Sequence, residues 1–481
     1  MKKRWFLIIA VAVLLGGCKK AESGSVRLDP NNPVTVTVWH YYNGAQKVAF
    51  DKMVEQFNET AGNEQGIFVE SHNQGDVSQL EESVMASIEK KVGSEEMPNI
   101  FASYADTAYA IEKKGYLIDL EQYMTDEEIG EYVDSYIEEG RIGSGGELKI
   151  FPTAKSSEIF MLNKTDWDTF AQAAGASLDD LKTKEGLVDT ARKYYEWTDS
   201  LTPDIPNDGM AFYGRDAMAN LFIIGSMQLG QEIFHVANQK VTLNVDKEVM
   251  RRIWDFYYIP YIKGYFAAYG KFRSDDVKTG KIIALTGSTT SAIYFPDTVE
   301  EKTKSYPIES LSLPVPVFEG GGDYAVQQGA GMVVTKSTPA IEYACVEFLK
   351  WFTEETRNLE FCSISGYLPV KKEANSKELL DQVIEEKNLD VNKKVYTTVV
   401  NGYEITQKYK LYTNKAFDGG SDARKILEYN MIDLAAADRE AVLESLKTGI
   451  SLEEAVAPYE TDAYFEAWFQ QFSDKLKEAA Q

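Results

Sequence analysis

The sequence predicts an α/β protein with at least two lobes. Three observations carry this: the length, an alternation of strand-like and helix-like segments beginning near residue 34, and a restart of that alternation after Pro152. The chain has 481 residues, and a single hydrophobic core stops growing beyond about 250–300. Val34-Thr35-Val36-Thr37-Val38-Trp39 is rich in β-branched residues and reads as a strand. Ala49, Phe50, Met53, Val54 and Phe57 then fall on one helical face. Ile67-Phe68-Val69-Glu70 is a second strand, Val77, Leu80, Val84 and Ile88 a second helical stripe, and Pro98-Asn99-Ile100-Phe101-Ala102 leads into a third strand. Strands alternating with helices in this way make βαβ units and a parallel sheet.

Glu147 to Phe151 is a further strand, closed by Pro152 and the polar turn Ala154-Lys155-Ser156-Ser157. Ile159-Phe160-Met161-Leu162 restarts the pattern. Helical stretches follow at Leu178 to Trp197, Ala217 to Leu229 and Lys247 to Tyr258. Lys281 to Leu285 reads as a strand running into Thr286-Gly287-Ser288-Thr289-Thr290-Ser291. Leu311-Ser312-Leu313-Pro314-Val315-Pro316 is extended, because its prolines forbid a helix interior. Gly331-Met332-Val333-Val334-Thr335 is a short strand before a helix with Ile341, Ala344, Cys345, Phe348, Leu349 and Phe352 on its apolar face. The C-terminal part is helical: Ser451 and Glu454 have the spacing of a capping box, and Tyr464, Trp468 and Phe472 share a face.

The first eighteen residues are MKKRWFLIIAVAVLLGGC. Lys2, Lys3 and Arg4 precede an uncharged run from Trp5 to Leu15, which is shorter than the roughly 20 residues of a membrane-spanning helix and reads as the core of a secretory leader. The closing Leu15-Gly16-Gly17-Cys18 resembles the lipobox of bacterial lipoproteins. That resemblance implies removal of residues 1–17, with Cys18 as the mature N-terminus, lipidated on its thiol with diacylglycerol and further acylated. Two or more acyl chains give stable anchoring. The expected location is the outer face of the cell membrane, extracellular or periplasmic, with 18–33 as a polar tether containing Gly24, Pro30 and Pro33.

The whole chain carries a formal charge of −25, and loss of the leader's three basic residues makes it more negative. Such a field repels nucleic acid, which is excluded as a partner. Besides Cys18 only Cys345 and Cys362 are present, and they read as structural thiols or, less simply, as a disulfide. His40, His72 and His235 lack ligand spacing, so neither a metal nor a cofactor is expected. There is no G-x-S-x-G, no H-E-x-x-H and no P-loop, since Thr279-Gly280-Lys281 lacks the upstream glycine.

Taken in order, the segments resemble the carbohydrate-type extracellular solute-binding proteins of bacterial ABC importers, the family that includes maltose-binding protein. The resemblance rests on the strand ending at Trp39, Pro98-Asn99-Ile100-Phe101, Lys114-Gly115-Tyr116-Leu117-Ile118-Asp119-Leu120, and Phe151-Pro152 ahead of Met161-Leu162-Asn163-Lys164. Gly280-Lys281 before Ile282-Ile283-Ala284-Leu285, Leu313-Pro314-Val315-Pro316, and Ser365-Gly366-Tyr367-Leu368-Pro369-Val370 complete it. It implies a two-lobed periplasmic-binding-protein fold of the Venus-flytrap type, closing by a hinge around one ligand. The expected lobes are 34–152 with 288–336, and 153–287 with 337–481. The expected function is capture of a sugar or oligosaccharide and its delivery, by a monomer doing no covalent chemistry, to the transmembrane subunits of an ABC permease. Two rival readings are the same fold binding an organophosphate such as a glycerol-phosphate-like polyol, and a surface-anchored glycosidase, which would need two carboxylates flanking the cleft. An adhesin or sensory subunit is a third.

In open α/β sheets ligands sit beyond the carboxyl ends of strands. Sugars need aromatic faces and a few fixed polar groups. Tyr41, Tyr42 and Asn43 follow the first strand, and Ser103, Tyr104 and Asp106 follow the third, so both sets are candidate ligand contacts, the alternative being cover for a sheet edge. Lys155, Ser156 and Ser157 lie at the inferred crossing between lobes, either as contacts or as a hinge turn. Ser288 and Thr289 stand in the run of hydroxyls, either as contacts or as a polar turn. Gln328, with Gln327 and Gly329, precedes a strand, and Tyr367 occupies a turn where the family often places an aromatic residue. Asp216 reads as a helix N-cap, and Trp254 and Tyr257 as core. One outcome is expected from the leader alone: Cys18→Ala removes the only acceptor for the lipid, so the variant should leave the detergent phase in a partitioning assay that retains the wild type.

Overall fold

The computed structural model describes residues 26–237 and 240–480; the leader, Cys18 and the first part of the tether lie outside the described residues. Two sheets organise it. The first runs Ile67–Asn73, Val34–His40, Ile100–Ser103, Gly331–Val334, Ile150–Phe151 in spatial order. Its first three strands are parallel, and Gly331–Val334 returns antiparallel between Ile100–Ser103 and Ile150–Phe151. The second runs Ser310–Leu313, Glu158–Asn163, Ala284–Ser288, Tyr213–Arg215, mostly antiparallel.

Each sheet is covered by helices whose apolar stripes the sequence announces. Helix Gly44–Glu59 buries Ala49, Phe50, Met53, Val54 and Phe57. Phe57 packs edge-on against Phe348 at 5.1 Å and Trp351 at 5.2 Å, on helix Pro339–Phe352. Thr338 caps that helix and Pro339 opens it, a pairing that fits the unsatisfied first turn. In the second lobe, helix Lys247–Lys263 buries Met250, Ile253, Trp254, Tyr257 and Tyr258 against helices Gly420–Leu446 and Asp462–Ala479. Trp254 stacks on Tyr258 and lies 4.8 Å from Trp468 between ring centres. The capping box at Ser451 and Glu454 is present. Cys345 and Cys362 are buried free thiols.

The lobes are discontinuous in sequence, but they divide differently from the expected 34–152 with 288–336 and 153–287 with 337–481. Ser310–Leu313 belongs to the second sheet, pairing with Glu158–Asn163, so 288–326 stays with the second lobe. Helices Pro339–Phe352 and Glu355–Ser365 belong to the first, because Ala344, Cys345, Phe348, Leu349 and Phe361 join the core of Val36, Phe50, Phe101 and Val333. The chain therefore crosses three times, near 152–157, near 327–330 and again beyond Tyr367. Helices Lys377–Glu386 and Lys393–Lys408 then form a smaller core of their own with Leu359 and Ala374. A strand expected over 281–285 lies at Ala284–Ser288, because the register with Glu158–Asn163 carries Thr286 and Gly287 into the ladder opposite Phe160 and Ile159.

Trp254 is only 1 % exposed. Trp254→Ala should cost about 3–5 kcal/mol in chemical denaturation, through lost burial and the cavity left behind.

Candidate functional site

The crossings between lobes are tied to one another. The Ser156 amide donates to Gln328 O at 2.8 Å and the Gln328 amide to Ser156 O at 3.0 Å. Lys155 makes the same exchange with Leu368 on the third crossing, at 3.1 and 2.6 Å. Two buried ion pairs flank this hinge. Lys155 Nζ donates to Glu139 at 2.7 Å and to Gly329 O at 2.6 Å. Arg215 donates to Glu158 Oε1 at 2.7 Å. Asn220 donates to the same Glu158 oxygen at 3.0 Å and to Gln328 Oε1 at 2.8 Å, and accepts from Arg424 at 2.9 Å. One continuous polar network therefore links the hinge to both walls of the space between the lobes.

That space holds a chamber of about 350 Å³. Its first wall is Glu81, Tyr104, Asp106 and Glu139, its second Ala217, Asn220, Ser421 and Arg424, and Gln327 and Gln328 close it at the hinge. A wider groove of about 620 Å³ adjoins it, sharing Ala105, Glu139, Gln327, Thr413 and Asn414. Ala217 is held at φ +52°, a left-handed conformation a non-glycine residue adopts only under constraint. The constraint is visible: the Ala217 carbonyl accepts from Arg215, and Glu428 reaches across from helix Gly420–Leu446 to accept from the Met218 and Ala219 amides. Asp216, expected as the cap of the helix that follows it, Met218–Gln228, instead faces Arg273, and the cap position falls to Ala217.

Of the residues singled out in the sequence, Tyr104, Asp106 and Gln328 line the chamber. Tyr104 is 39 % exposed and offers its ring to the space. Burial, with the neighbouring tyrosines, pushes the Tyr41 and Tyr367 phenols well above their ordinary range, and Tyr104 is pushed the same way chiefly by Tyr41 and then by burial. Tyr41 stands partly exposed behind Tyr104, whereas Tyr42 and Tyr367 are buried in an aromatic cluster with Phe50 and Phe361. Ser103 is buried, its hydroxyl donating to Tyr104 O. Asn43 donates to Tyr41 O and Gly75 O, shaping the loop after the first strand. Ser156 and Ser157 are buried at the crossing, Ser157 donating to Val326 O.

The hydroxyl run is not an open turn. Ser288 caps a short 3₁₀ helix, Thr289–Tyr294, and Thr289 is fully buried. Gly366, at φ +75°, leans on it so closely that a Cβ there would meet Thr289 O at 3.0 Å. Ser288 and Thr289 of one lobe and the Tyr367 turn of the other thus meet where the lobes touch, outside the chamber walls.

Sequence reasoning missed Asn220, Arg424, Glu139 and Ala217. Only Asn220 left a signal: a polar residue inside the apolar helix Met218–Gln228, 1 % exposed. Arg424 and Glu139 are two among many charged residues on amphipathic helices. Asp106 carries the clearest electrostatic mark. Burial raises its carboxyl to about 6, Arg424 opposing and Glu81 and Glu139 reinforcing. Among the described residues no cluster of ligating groups could hold a metal, and no helix is long and apolar enough to cross a membrane.

Two α/β lobes joined by paired crossings, with a polar chamber between them, define a hinged binding protein. Residues 52–388 match the bacterial extracellular solute-binding proteins, and the chain belongs to that family. Solved structures share the fold over nearly full length. A cyclic α-maltosyl-1,6-maltose binding protein from Arthrobacter globiformis is 17% identical, with a TM-score of 0.65, covering 93% of this chain and 99% of its own. UgpB from Mycobacterium tuberculosis, in complex with glycerophosphocholine, is 16% identical at a TM-score of 0.64, covering 94% and 100%. An ABC substrate-binding protein from Listeria monocytogenes, in complex with cycloalternan, is 15% identical at 0.64, covering 93% and 100%. No curated protein sequence gives a significant match.

The network yields one stability test. Glu158→Gln removes the charge that Arg215 needs while keeping the side chain's shape, and Arg215 is only 3 % exposed. Breaking a buried pair in this way should cost about 3–5 kcal/mol, read from the denaturation midpoint.

Proposed function

We propose that this protein captures a neutral sugar or oligosaccharide in the chamber between its lobes and delivers it to the transmembrane subunits of an ABC permease. In this reading it acts as a monomeric lipoprotein held at the outer face of the membrane through Cys18. The observation that carries the ligand class is the make-up of the walls. A half-exposed aromatic ring, Tyr104, stands beside the carboxylates Glu81, Asp106 and Glu139, with Asn220 and Gln328 opposite. Ring hydroxyls are hydrogen-bond donors that suit carboxylate and amide acceptors, and the apolar face of a sugar suits a tyrosine. The adjoining groove leaves room for more than one sugar unit. Two of the solved structures above also carry an oligosaccharide in their names.

An organophosphate ligand is the second reading, favoured by Arg424 in the chamber and by the glycerophosphocholine complex of UgpB. Three carboxylates around one guanidinium weigh against an anion. The test is calorimetry with a panel of neutral oligosaccharides and sugar phosphates. A neutral oligosaccharide should bind with little dependence on salt, and Tyr104→Ala should weaken it at least about tenfold, roughly 1.4 kcal/mol. Binding confined to sugar phosphates and steeply weakened by salt would reverse the assignment.

A further inference from the structure

Helix Ala105–Glu112 of the first lobe meets helix Gly420–Leu446 of the second across the mouth of the cleft. At the solvent end, Lys113 donates to both oxygens of Asp418, at 2.7 and 2.8 Å. Nearer the chamber, the Asp106 carboxylate faces the first turn of Gly420–Leu446. The approach is so close that a Cβ on Gly420 would stand 2.7 Å from Asp106 Oδ1. That oxygen is buried and has no hydrogen-bond partner.

The charged groups facing Asp106 come from three elements. Arg424 attracts it from the opposing helix, while Glu81 on Val77–Ile88 and Glu139 on Asp134–Gly140 repel it. Glu81 accepts from the Thr107 hydroxyl at 2.6 Å, and Glu139 is held by Lys155 and Gln327, so both stay in place. Burial outweighs Arg424, and the Asp106 carboxyl stands at about 6. Part of the burial comes from the other lobe, where Gly420 stands against Oδ1 and Arg424 faces the carboxyl. Hinge opening withdraws them and returns the carboxylate to water, where its ordinary value is about 3.9.

We propose that Asp106 is a proton-linked latch: closing the lobes takes up a proton at this carboxyl, so mild acid favours the closed form and near-neutral medium favours the open one. The sign follows from linkage. The closed form has the higher carboxyl value, so it binds more protons than the open form between about pH 4 and 6 and gains stability as pH falls through 6. A full return to the ordinary value, about two units, would shift the closed-to-open ratio by up to about tenfold between roughly pH 7.5 and pH 5. Asp106 also lines the chamber, so the latch is isolated in the ligand-free chain.

Small-angle scattering of the ligand-free chain tests it without any assumption about the ligand. The wild type should become more compact on going from about pH 7.5 to about pH 5. Asp106→Asn, neutral throughout, should be equally compact at both. A wild-type radius unchanged by pH, or a pH response kept in Asp106→Asn, would each overturn the latch. Should Asp106→Asn fail to fold, Asp106→Ser, equally neutral, decides the matter in its place. Failure here leaves the sugar reading standing, and failure of every sugar to bind leaves the latch standing.

Discussion

Where the chain passes from one lobe to the other it has no sheet to lie in, yet its amides and carbonyls are buried and must be paired. Ser156 and Gln328 solve this by exchanging two backbone hydrogen bonds, and Lys155 and Leu368 repeat the exchange on the third crossing. The rest of the arrangement depends on this pairing. It sets the two sheets against each other and fixes which loops share the cleft. It also places Gln328 so that its amide can answer Asn220 from the opposite lobe. A hinge made of short extended segments can change its φ/ψ values while these few bonds persist, which is the physical requirement for two lobes that move as bodies.

The buried charges beside the hinge follow from the same constraint. Lys155 with Glu139, and Arg215 with Glu158, are each nearly inaccessible to water. Such pairs add little net stability over apolar residues of the same size, because desolvation consumes the Coulombic gain. They do specify: each partner is costly to leave unpaired, so the first pair fixes a crossing against the first wall and the second fixes two strands within the second lobe. Ala217 shows the same economy, its unfavourable φ held by an arginine on one side and Glu428 on the other. The chamber is thus built from groups with few alternatives, which limits the ordering a ligand must impose on binding.

Much of the fold was legible in the sequence because it rests on local pattern. Phe50, Met53 and Phe57 fall on one face of a helix whatever surrounds them, and Val36 and Val38 fall on one face of a strand. Tyr104, Asp106 and Gln328 were legible for a related reason: they adjoin strands, at the sheet edges where α/β proteins place ligands. Ser288 and Thr289 were read in a polar run, but a strand register three residues later than expected draws Thr286 into the ladder, and a capped 3₁₀ turn takes up the rest. Local polarity says nothing about which neighbour will satisfy it.

By itself the sequence determined the alternation of strands and helices, the family and the net acidic charge, all of them properties of residue order over short spans or of composition. The tertiary structure alone decided where the lobes divide. Residues 341–352 are an amphipathic helix in either lobe, and only the fit of Phe348 and Phe352 among Phe50, Phe57 and Phe361 assigns it to the first. It alone brought Arg424 beside Asn220, 204 positions away, and Asp106 against Gly420. Contacts of that kind depend on the path of the chain through three crossings, and the energies that choose the path are sums over whole cores.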